Sequence, residues 1–285
     1  MVTTISALVG LALVAAPSKP LPFDDAFAGV TSPKDVHTAV MKATVVVFYQ
    51  DISELAPPAT GFFVWKRGSD GRQRVFLVTA AHTFKGAKPH MTLQVWSRHK
   101  TSRGQCESER WELEMYDRPG NPLWLRDSGA DVAVLEVGRD RVPCVAISVS
   151  DLATTAGVGS FGLGDEVFTV GYPASLASSS SADGYYAFLR SGRVSGYPGA
   201  TANYSETGIY FDVAVSGGYS GAPVYWFMGS GEGSSPGTVR PRVMVVGVVT
   251  GVLHKPNSKD GGSIDLGVGY AALAAYARAL IEKAK

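Results

Sequence analysis

Three short stretches of the sequence carry residue types that can do chemistry together. His82 follows a hydrophobic run that ends in small residues (LVTAA, 77–81), and Asp131 begins an otherwise apolar run (DVAVL, 131–135). Ser220 lies in a glycine-rich stretch (SGGYSGAP, 216–223). A serine becomes a nucleophile when a histidine takes its proton and an acid orients that histidine. Each residue alone is more often structural, so the hypothesis of nucleophilic catalysis rests on the three patterns together.

The residues around each position suit such a role. A histidine at the end of a hydrophobic strand is held rigidly at the edge of a cleft, and an acid within an apolar run needs a partner if it is buried. Glycines on both sides of Ser220 allow a turn in which backbone N–H groups converge.

The motifs T-A-A-H, D-V-A-V-L and G-x-S-G-x-P, in this order, resemble those of the trypsin-like (chymotrypsin-fold) serine peptidases. The spacing agrees, since 49 residues separate His82 from Asp131 and 89 separate Asp131 from Ser220, against about 45 and about 93 in chymotrypsin. In serine hydrolases of the lipase and subtilisin types, the three catalytic residues occur in other orders along the chain. The resemblance covers the chain from about residue 44 to the C-terminal helix.

The resemblance implies a role for each residue. Ser220 would be the nucleophile, His82 the base that takes its proton and returns it to the leaving amine, and Asp131 the group that orients the imidazolium. The backbone N–H groups of Gly218 and Ser220 would form the oxyanion hole. No cofactor and no metal would be needed.

The chain also departs from some of these peptidases. In zymogen-type relatives an Asp immediately precedes the nucleophile and pairs with a newly released N-terminus, whereas this chain has Tyr219. Activation by N-terminal insertion is therefore not expected. The approach to the turn (DVAVS, 212–216) more closely resembles the bacterial HtrA-like (Deg) proteases, which usually continue into a PDZ domain. Because the sequence stops at residue 285, we expect a free-standing protease domain.

The same resemblance places a specificity pocket, with Ala214 near its base and Val249, Thr250 and Gly251 along one side. No acid stands at Ala214, so a preference for Arg or Lys is not expected. An apolar pocket would leave a buried cation without a partner, which favours cleavage after small or medium apolar residues. Thr250 and His254 keep a second option open, a pocket for Glu like that of bacterial glutamyl endopeptidases.

The elements that must position these residues are predicted to be strands. β-Branched and aromatic runs alternate with Gly, Pro, Ser and charged turns, and two sets of about six runs suggest two small barrels. We predict an all-β chain with two six-stranded antiparallel β-barrels, a chymotrypsin/trypsin-like fold. The predicted strands are 44–49, 61–65, 75–79, 91–96, 110–116 and 132–137 in the first barrel, and 166–171, 186–190, 192–196, 209–213, 222–227, 243–249 and 267–270 in the second.

The expected organisation follows from these runs: a first barrel over about 43–137, an irregular glycine-rich crossover over 138–165 and a second barrel over about 166–270. Ser32, Pro33 and Asp35 are helix-start signals for a short helix to about Met41. Apolar residues at helical spacing predict a C-terminal helix over 271–284 that packs on the second barrel. Three polar, small-residue stretches are expected to be exposed loops, 177–184, 229–237 and 256–263.

Composition excludes several classes of function. With 26 Lys+Arg against 25 Asp+Glu in 285 residues, the net charge is +1, which argues against a nucleic-acid-binding protein. The hydrophobic fraction of 45% is enough for a large core and far from the composition of a disordered chain. The two cysteines, Cys106 and Cys144, permit one disulfide without showing it, and they lack metal-ligand spacing. Other polar candidates lack the flanking patterns and are expected to be surface groups: His37, His90, His99, His254 and Asp127.

The N-terminal segment bears on where the protein is located in or outside the cell. Its apolar run, 5–16, is too short to span a bilayer as a helix. Small residues at 14–16 offer a cleavage pattern, although no basic residue precedes the run. This favours a signal peptide over about 1–20, export to the periplasm or medium, and a protease domain over 21–285. The alternative is a buried first strand or an apolar tail on a cytoplasmic protein.

We expect protein or peptide substrates, a monomeric chain and no stable membrane span in the mature protein. Two other functions stay open. A trypsin-like fold with an idle site could serve as a binding module, since the sequence does not show that the oxyanion turn is formed. A protease of viral or phage origin would predict cytoplasmic action on a polyprotein and self-cleavage, and the apolar N-terminus counts against it.

Overall fold

The structure is a computed structural model of the chain. It describes residues 24–49, 58–89, 91–100, 106–127, 129–138, 145–157, 161–174, 186–197, 208–228, 242–256 and 263–284. The predicted signal peptide, the predicted loops 177–184 and 229–237, and Cys144 lie outside these residues, and so does most of the predicted loop 256–263.

Most of the described chain is β-strand. Two helices frame the strands, α1 (Pro33–Ala43) and α2 (Ala274–Lys283). The strands are β1 (Asp24–Asp25), β2 (Thr44–Tyr49), β3 (Ala59–Arg67), β4 (Gln73–Ala80), β5 (Thr92–Lys100), β6 (Cys106–Glu114), β7 (Trp124–Arg126), β8 (Val132–Val137), β9 (Val145–Ser148), β10 (Glu166–Gly171), β11 (Phe188–Gly196), β12 (Gly208–Phe211), β13 (Pro223–Met228), β14 (Arg242–Pro256) and β15 (Ser263–Leu273).

The strands form two sheets, as the alternation of apolar and polar runs predicts. The first has nine strands among the described residues, along the path β6-β5-β2-β3-β4-β8-β7, with β9 beside β3 and β1 beside β9. The second is a closed barrel in the order β10-β11-β12-β15-β14-β13. The predicted all-β, chymotrypsin-like fold is therefore confirmed. Of the two six-stranded barrels expected, the second is present, whereas the first sheet is a half-barrel with nine strands among the described residues.

Each sheet encloses its own apolar core, and a third cluster of buried side chains joins them. That joining cluster includes residues of α1, β3, β4 and β8 on one side and of β13, β14 and α2 on the other. Because both helices lie in this cluster, they bury their apolar faces against both sheets. Helix α1 begins as its sequence predicts, since the Ser32 hydroxyl accepts the Asp35 N–H at 3.2 Å and Pro33 occupies the first turn.

Several boundaries differ from the prediction. Strand β7 is too short to show an alternating pattern, and β9 lies in the stretch predicted as irregular crossover, where it pairs with β3. The predicted strands 186–190 and 192–196 are one strand, because Ser191 pairs with Phe168 of β10. Helix α2 begins at Ala274 rather than 271, because residues 271–273 still pair with β14.

No helix in the described part of the chain is long and apolar enough to cross a membrane.

Asp151 gives the fold a pH-dependent element. It ends a short 3-10 helix, Val149–Asp151, that links the two sheets, and burial raises the pKa of its carboxyl to about 6, with the charge of Asp25 in β1 adding to the rise. The folded state therefore holds this proton more tightly than the unfolded chain, whose Asp pKa is about 4. The free energy of unfolding should fall as pH rises from about 4 through about 6, where Asp151 becomes charged.

The substitution Asp151→Asn removes that charge. We expect the variant to exceed the wild type in Tm by about 2–4 °C at pH 8 and to match it near pH 4, measured by thermal unfolding at both pH values. Asp24→Asn, an exposed neighbour in β1, is the control. An equal gain at both pH values would contradict a titration of Asp151.

Candidate active site

His82 lies just beyond the end of β4, in a short 3-10 helix, Ala81–Phe84. The next two side chains, Thr83 and Phe84, are buried and fix this turn, and the Phe84 ring stacks on Trp124 of β7 with ring centroids 4.9 Å apart. The His82 side chain itself is 42% exposed. The imidazole is therefore held on a rigid turn while its ring remains open to solvent on one side.

Asp131 holds both the backbone and the ring of His82. Its Oδ1 accepts the His82 N–H at 2.8 Å, and its Oδ2 lies 2.5 Å from His82 Nδ1. Its backbone carbonyl accepts the Ala81 N–H at 3.1 Å. When Nδ1–H donates to the carboxylate, Nε2 is left as a proton acceptor. This is the arrangement that a histidine base requires.

The strand register explains why these two residues meet. Strand β8 starts directly after Asp131 and pairs antiparallel with β4, with Val132 opposite Ala80. The loop before Asp131 is shaped by Asp127, whose Oδ1 accepts the N–H groups of Gly129 and Ala130 at 2.8 and 3.0 Å. Asp127, expected to be a surface group, is thus a loop-forming residue beside the site.

Ser220 lies in the turn 216–221, between β12 and β13. Two glycines in this turn have positive φ, 99° at Gly218 and 90° at Gly221, a conformation that side-chain-bearing residues rarely adopt. There is also no room for a side chain at Gly218, because a Cβ there would stand 2.2 Å from the Tyr172 carbonyl oxygen. The glycine pattern noted in the sequence is therefore required by the backbone of the turn.

The carbonyl groups of the turn are held by neighbouring elements. The Gly217 oxygen accepts the Ala174 N–H at 2.8 Å, the Gly218 oxygen accepts the Thr60 hydroxyl at 2.6 Å, and the Ser220 oxygen accepts the Thr60 N–H at 2.8 Å. In a trans peptide the N–H points away from the C=O of the preceding residue. The bonds to the Gly217 carbonyl and, from the Ala222 N–H at 2.8 Å, to the Tyr219 carbonyl therefore set the directions of the Gly218 and Ser220 N–H groups. Within the described residues, neither the Gly218 N–H nor the Ser220 N–H has an acceptor. Both N–H groups are therefore available as hydrogen-bond donors.

Gly221 brings this turn against the first sheet. A Cβ on Gly221 would stand 1.9 Å from the Thr60 carbonyl oxygen, 2.3 Å from the Thr79 hydroxyl and 3.0 Å from the Ala80 backbone nitrogen. The turn that carries Ser220 therefore packs on the ends of β3 and β4, two residues from His82. The three residues singled out in the sequence lie in one region of the molecule.

Tyr219, immediately before Ser220, is a core residue of the second barrel. Its side chain is 1% exposed, it packs against Gly171, where a Cβ would stand 2.4 Å from the ring, and its hydroxyl donates to the Phe188 carbonyl at 3.4 Å. Burial raises the pKa of this phenol, and Arg190 offsets part of the rise. A neutral ring thus stands where zymogen-type relatives carry an acid.

The residues predicted for the specificity pocket flank the same turn. Val249 accepts the Gly221 N–H at 2.7 Å and donates to the Ala222 carbonyl at 2.8 Å, which ties β14 to the turn. Ala214 is exposed, and a Cβ on Gly251 would meet no atom within 4 Å. An added side chain at Gly251 therefore has room.

Polar groups near this region are few in the described part of the chain. Thr250 has a buried hydroxyl without a hydrogen-bond partner among the described residues. The Asp212 carboxylate, two residues from Ala214, accepts the Arg193 N–H. Positions 249–251 and 214 thus carry no charge, and the His254 side chain lies outside the described part of the structure.

A cavity of about 600 Å³ lies beside the His82–Asp131 pair. Phe84, Trp124 and Arg126 contribute to its walls. No cluster of three or more His, Cys, Asp or Glu side chains suited to a metal ion occurs in the part of the chain that the structure describes.

Residues 59–229, more than half of the chain, match the family model for the trypsin-like peptidase domain. The chain belongs to this family. A search of the curated proteins finds no match.

Solved structures similar to this chain include two of the HtrA-type protease AlgW and one of Deg5. The HtrA-type protease AlgW with a tripeptide is 16% identical, with 82% of this chain and 56% of that chain covered and a TM-score of 0.45. AlgW with a decapeptide is 15% identical over 85% and 65% of the two chains, with a TM-score of 0.48. Deg5 is 16% identical over 77% and 86%, with a TM-score of 0.43. This peptidase spans just over half the length of the first of these chains.

Some residues around the site escaped sequence reasoning. The turn 216–221 is surrounded by Thr60, Thr79 and Tyr172. No sequence motif marks these residues, because their contacts are either with residues more than a hundred positions away in the chain or with a neighbouring strand. His37, expected at the surface, is half-buried and lies 2.7 Å from the Tyr225 hydroxyl. The one feature of the sequence that could have indicated this burial is the position of His37 on the inward face of α1.

The two glycines before Tyr219 give a direct test of the turn. Gly218→Ala should lower the free energy of unfolding by about 2–4 kcal/mol, because the Cβ meets backbone atoms and the positive φ is strained. Gly217→Ala should change it by less than about 1 kcal/mol, because a Cβ there meets no atom within 4 Å and its φ is not positive. Urea unfolding measures both, and equal losses would contradict the described turn.

Proposed function

We propose that this peptidase is a serine endopeptidase in which Ser220 attacks the scissile carbonyl, His82 is the general base and Asp131 orients His82. The observation that carries the proposal is that the Asp131 carboxylate contacts His82 twice. Its Oδ1 accepts the His82 backbone N–H at 2.8 Å, and its Oδ2 lies 2.5 Å from the ring Nδ1. The contact of Gly221 with Ala80 supports it, because it places the turn of Ser220 next to the same strand end.

The reaction follows from these positions. His82 Nε2 takes the proton of the Ser220 hydroxyl as the oxygen attacks, and the developing oxyanion accepts hydrogen bonds from the Gly218 and Ser220 N–H groups. His82 then gives its proton to the leaving amine, which leaves an acyl-enzyme on Ser220. Water activated by His82 hydrolyses this ester and restores the serine. Asp131 stabilises the positive charge that His82 carries in both steps.

A fluorophosphonate probe tests the nucleophile. At pH 7.5 the wild type should be labelled once, at Ser220, and both Ser220→Ala and His82→Ala should lose at least 99% of the labelling rate, because a serine without its base is a weak nucleophile. Intact mass and peptide mapping give the measurement. Ser216→Ala removes an exposed serine of the same turn and is the control. A folded wild type that is not labelled would favour the binding-module alternative.

We further propose that substrates carry a small or medium apolar residue before the cleaved bond. Supporting this, Ala214, Val249 and Gly251 are uncharged, and the nearby Asp212 carboxylate is already bonded to a backbone N–H. The partnerless Thr250 hydroxyl keeps a Glu-preferring pocket as the second candidate. We also propose export, on the strength of the apolar run 5–16, and a protease domain over 21–285.

A cleavage-site profile on a peptide library distinguishes these pockets. We expect cleavage after Ala, Val or Leu, and Gly251→Val should shift the preference toward Ala by about tenfold, because each methylene excluded from a pocket changes binding by ~1–3 kcal/mol. The Tm should change little, since there is open space at Gly251. Cleavage after Glu would instead indicate a role for Thr250, and strong Arg or Lys preference would contradict both pockets.

A further inference from the structure

Thr60 lies at the junction of the two sheets and is fully buried. Its backbone belongs to β3 of the first sheet, yet both hydrogen bonds that its hydroxyl makes with described residues go to segments that follow strands of the second sheet. The hydroxyl donates to the Gly218 carbonyl at 2.6 Å and accepts the Tyr172 N–H at 3.1 Å. One small side chain thus connects the turn 216–221 with the segment that follows β10.

The two bonds act on the same structural feature. The segment after β10 also supplies the Ala174 N–H that holds the Gly217 carbonyl, so the peptide before Gly218 is fixed from this segment. The peptide after Gly218 is held by the Thr60 hydroxyl at its carbonyl and by the Ser216 carbonyl at its N–H. Between these two peptides stands a glycine, which has little conformational preference of its own. Without the hydroxyl, the carbonyl of the second peptide would lose its partner, and only the 3.1 Å bond from the Tyr219 N–H to the Ser216 carbonyl would hold this peptide.

The need of a buried hydroxyl for a hydrogen-bond partner does not by itself explain the long-range bonds of Thr60. Thr44, also buried and also at the first sheet, donates its hydroxyl to the Val40 carbonyl four residues away, which is a local bond at a helix end. The Thr60 hydroxyl instead reaches groups 158 and 112 residues away in the sequence. Its backbone N–H adds a third bond, to the Ser220 carbonyl.

We propose that Thr60 is a positioning residue of the peptidase: its hydroxyl fixes the peptide planes around Gly218 and so aims the Gly218 and Ser220 N–H groups at the oxyanion. The inference rests on the proposed function of Ser220. It assigns to the first sheet a second contribution to the reaction besides His82 and Asp131. Because the hydroxyl does not touch the substrate, its loss affects the transition state and leaves ground-state binding intact.

The test compares Thr60→Val, which keeps the shape without the hydroxyl, with Thr60→Ser, which keeps the hydroxyl. Thr60→Cys keeps a weak donor and serves if the Val variant does not fold. Thr44→Val is the matched control for loss of a buried threonine hydroxyl. The probes are p-nitrophenyl acetate, read as the acylation rate constant and the half-saturating concentration, and phenylboronic acid, whose tetrahedral adduct places an oxygen in the oxyanion hole.

We expect Thr60→Val to lower the acylation rate constant by about 10-fold to 100-fold, less than the ~10²–10³ that follows outright loss of a donor. The inhibition constant of phenylboronic acid should rise by a similar factor, with the half-saturating concentration within about twofold of wild type. Thr60→Ser should recover most of the rate, Thr60→Cys should lie between, and Thr44→Val should keep the wild-type rate at a comparable loss of Tm.

Three outcomes would overturn the inference. Folded Thr60→Val or Thr60→Cys with wild-type acylation would show that the hydroxyl does not aim the donors. A loss shared equally with Thr44→Val would show a general effect of destabilisation. A wild type no more active than Ser220→Ala would contradict the proposed function and, with it, this inference. If the wild type is active and Thr60→Val is equally active, only the inference about Thr60 fails.

Discussion

The residues of the site come from two different sheets, and the approach of Ser220 to His82 depends on one backbone contact between them. Gly221 lies so close to β3 and β4 that a Cβ would stand 1.9 Å from the Thr60 carbonyl oxygen. Any side chain there would separate the sheets by a distance that hydrogen bonds cannot span. The bond from the Thr60 N–H to the Ser220 carbonyl, 2.8 Å long, exists because this position is glycine.

A second consequence concerns how the His82–Asp131 pair is oriented. Both side chains are partly exposed, 42% and 38%, so burial alone does not fix them. Their orientation comes from the backbone: the Asp131 carboxylate binds the His82 N–H as well as the ring, and Asp127 shapes the loop that delivers Asp131. The geometry of the pair is thus set by the paired strands β4 and β8 rather than by a surrounding apolar wall.

These features show what the sequence could predict and what it could not. Order and spacing singled out His82, Asp131 and Ser220 as candidates, because the short motifs around each residue are local. Most strand positions followed from β-branched runs for the same reason. Thr60 could not be identified, since its partners Gly218 and Tyr172 are far away in the chain and any buried threonine has the same local sequence. His37 was wrongly expected at the surface, because one polar residue on a helix face does not show which sheet covers it.

Contact between the sheets must persist for Gly221 to remain in place, and α2 contributes to this. The helix packs on β8 of the first sheet and β14 of the second. Its C-terminal carbonyls, at Ile281 and Ala284, accept hydrogen bonds from the Lys66 ammonium at 2.6 and 2.7 Å. Unpaired carbonyls at a helix end attract cations, so Lys66 of β3 fastens the helix to the strand that also carries Thr60. The C-terminal helix α2 therefore stabilises the same junction of the two sheets on which the turn 216–221 packs.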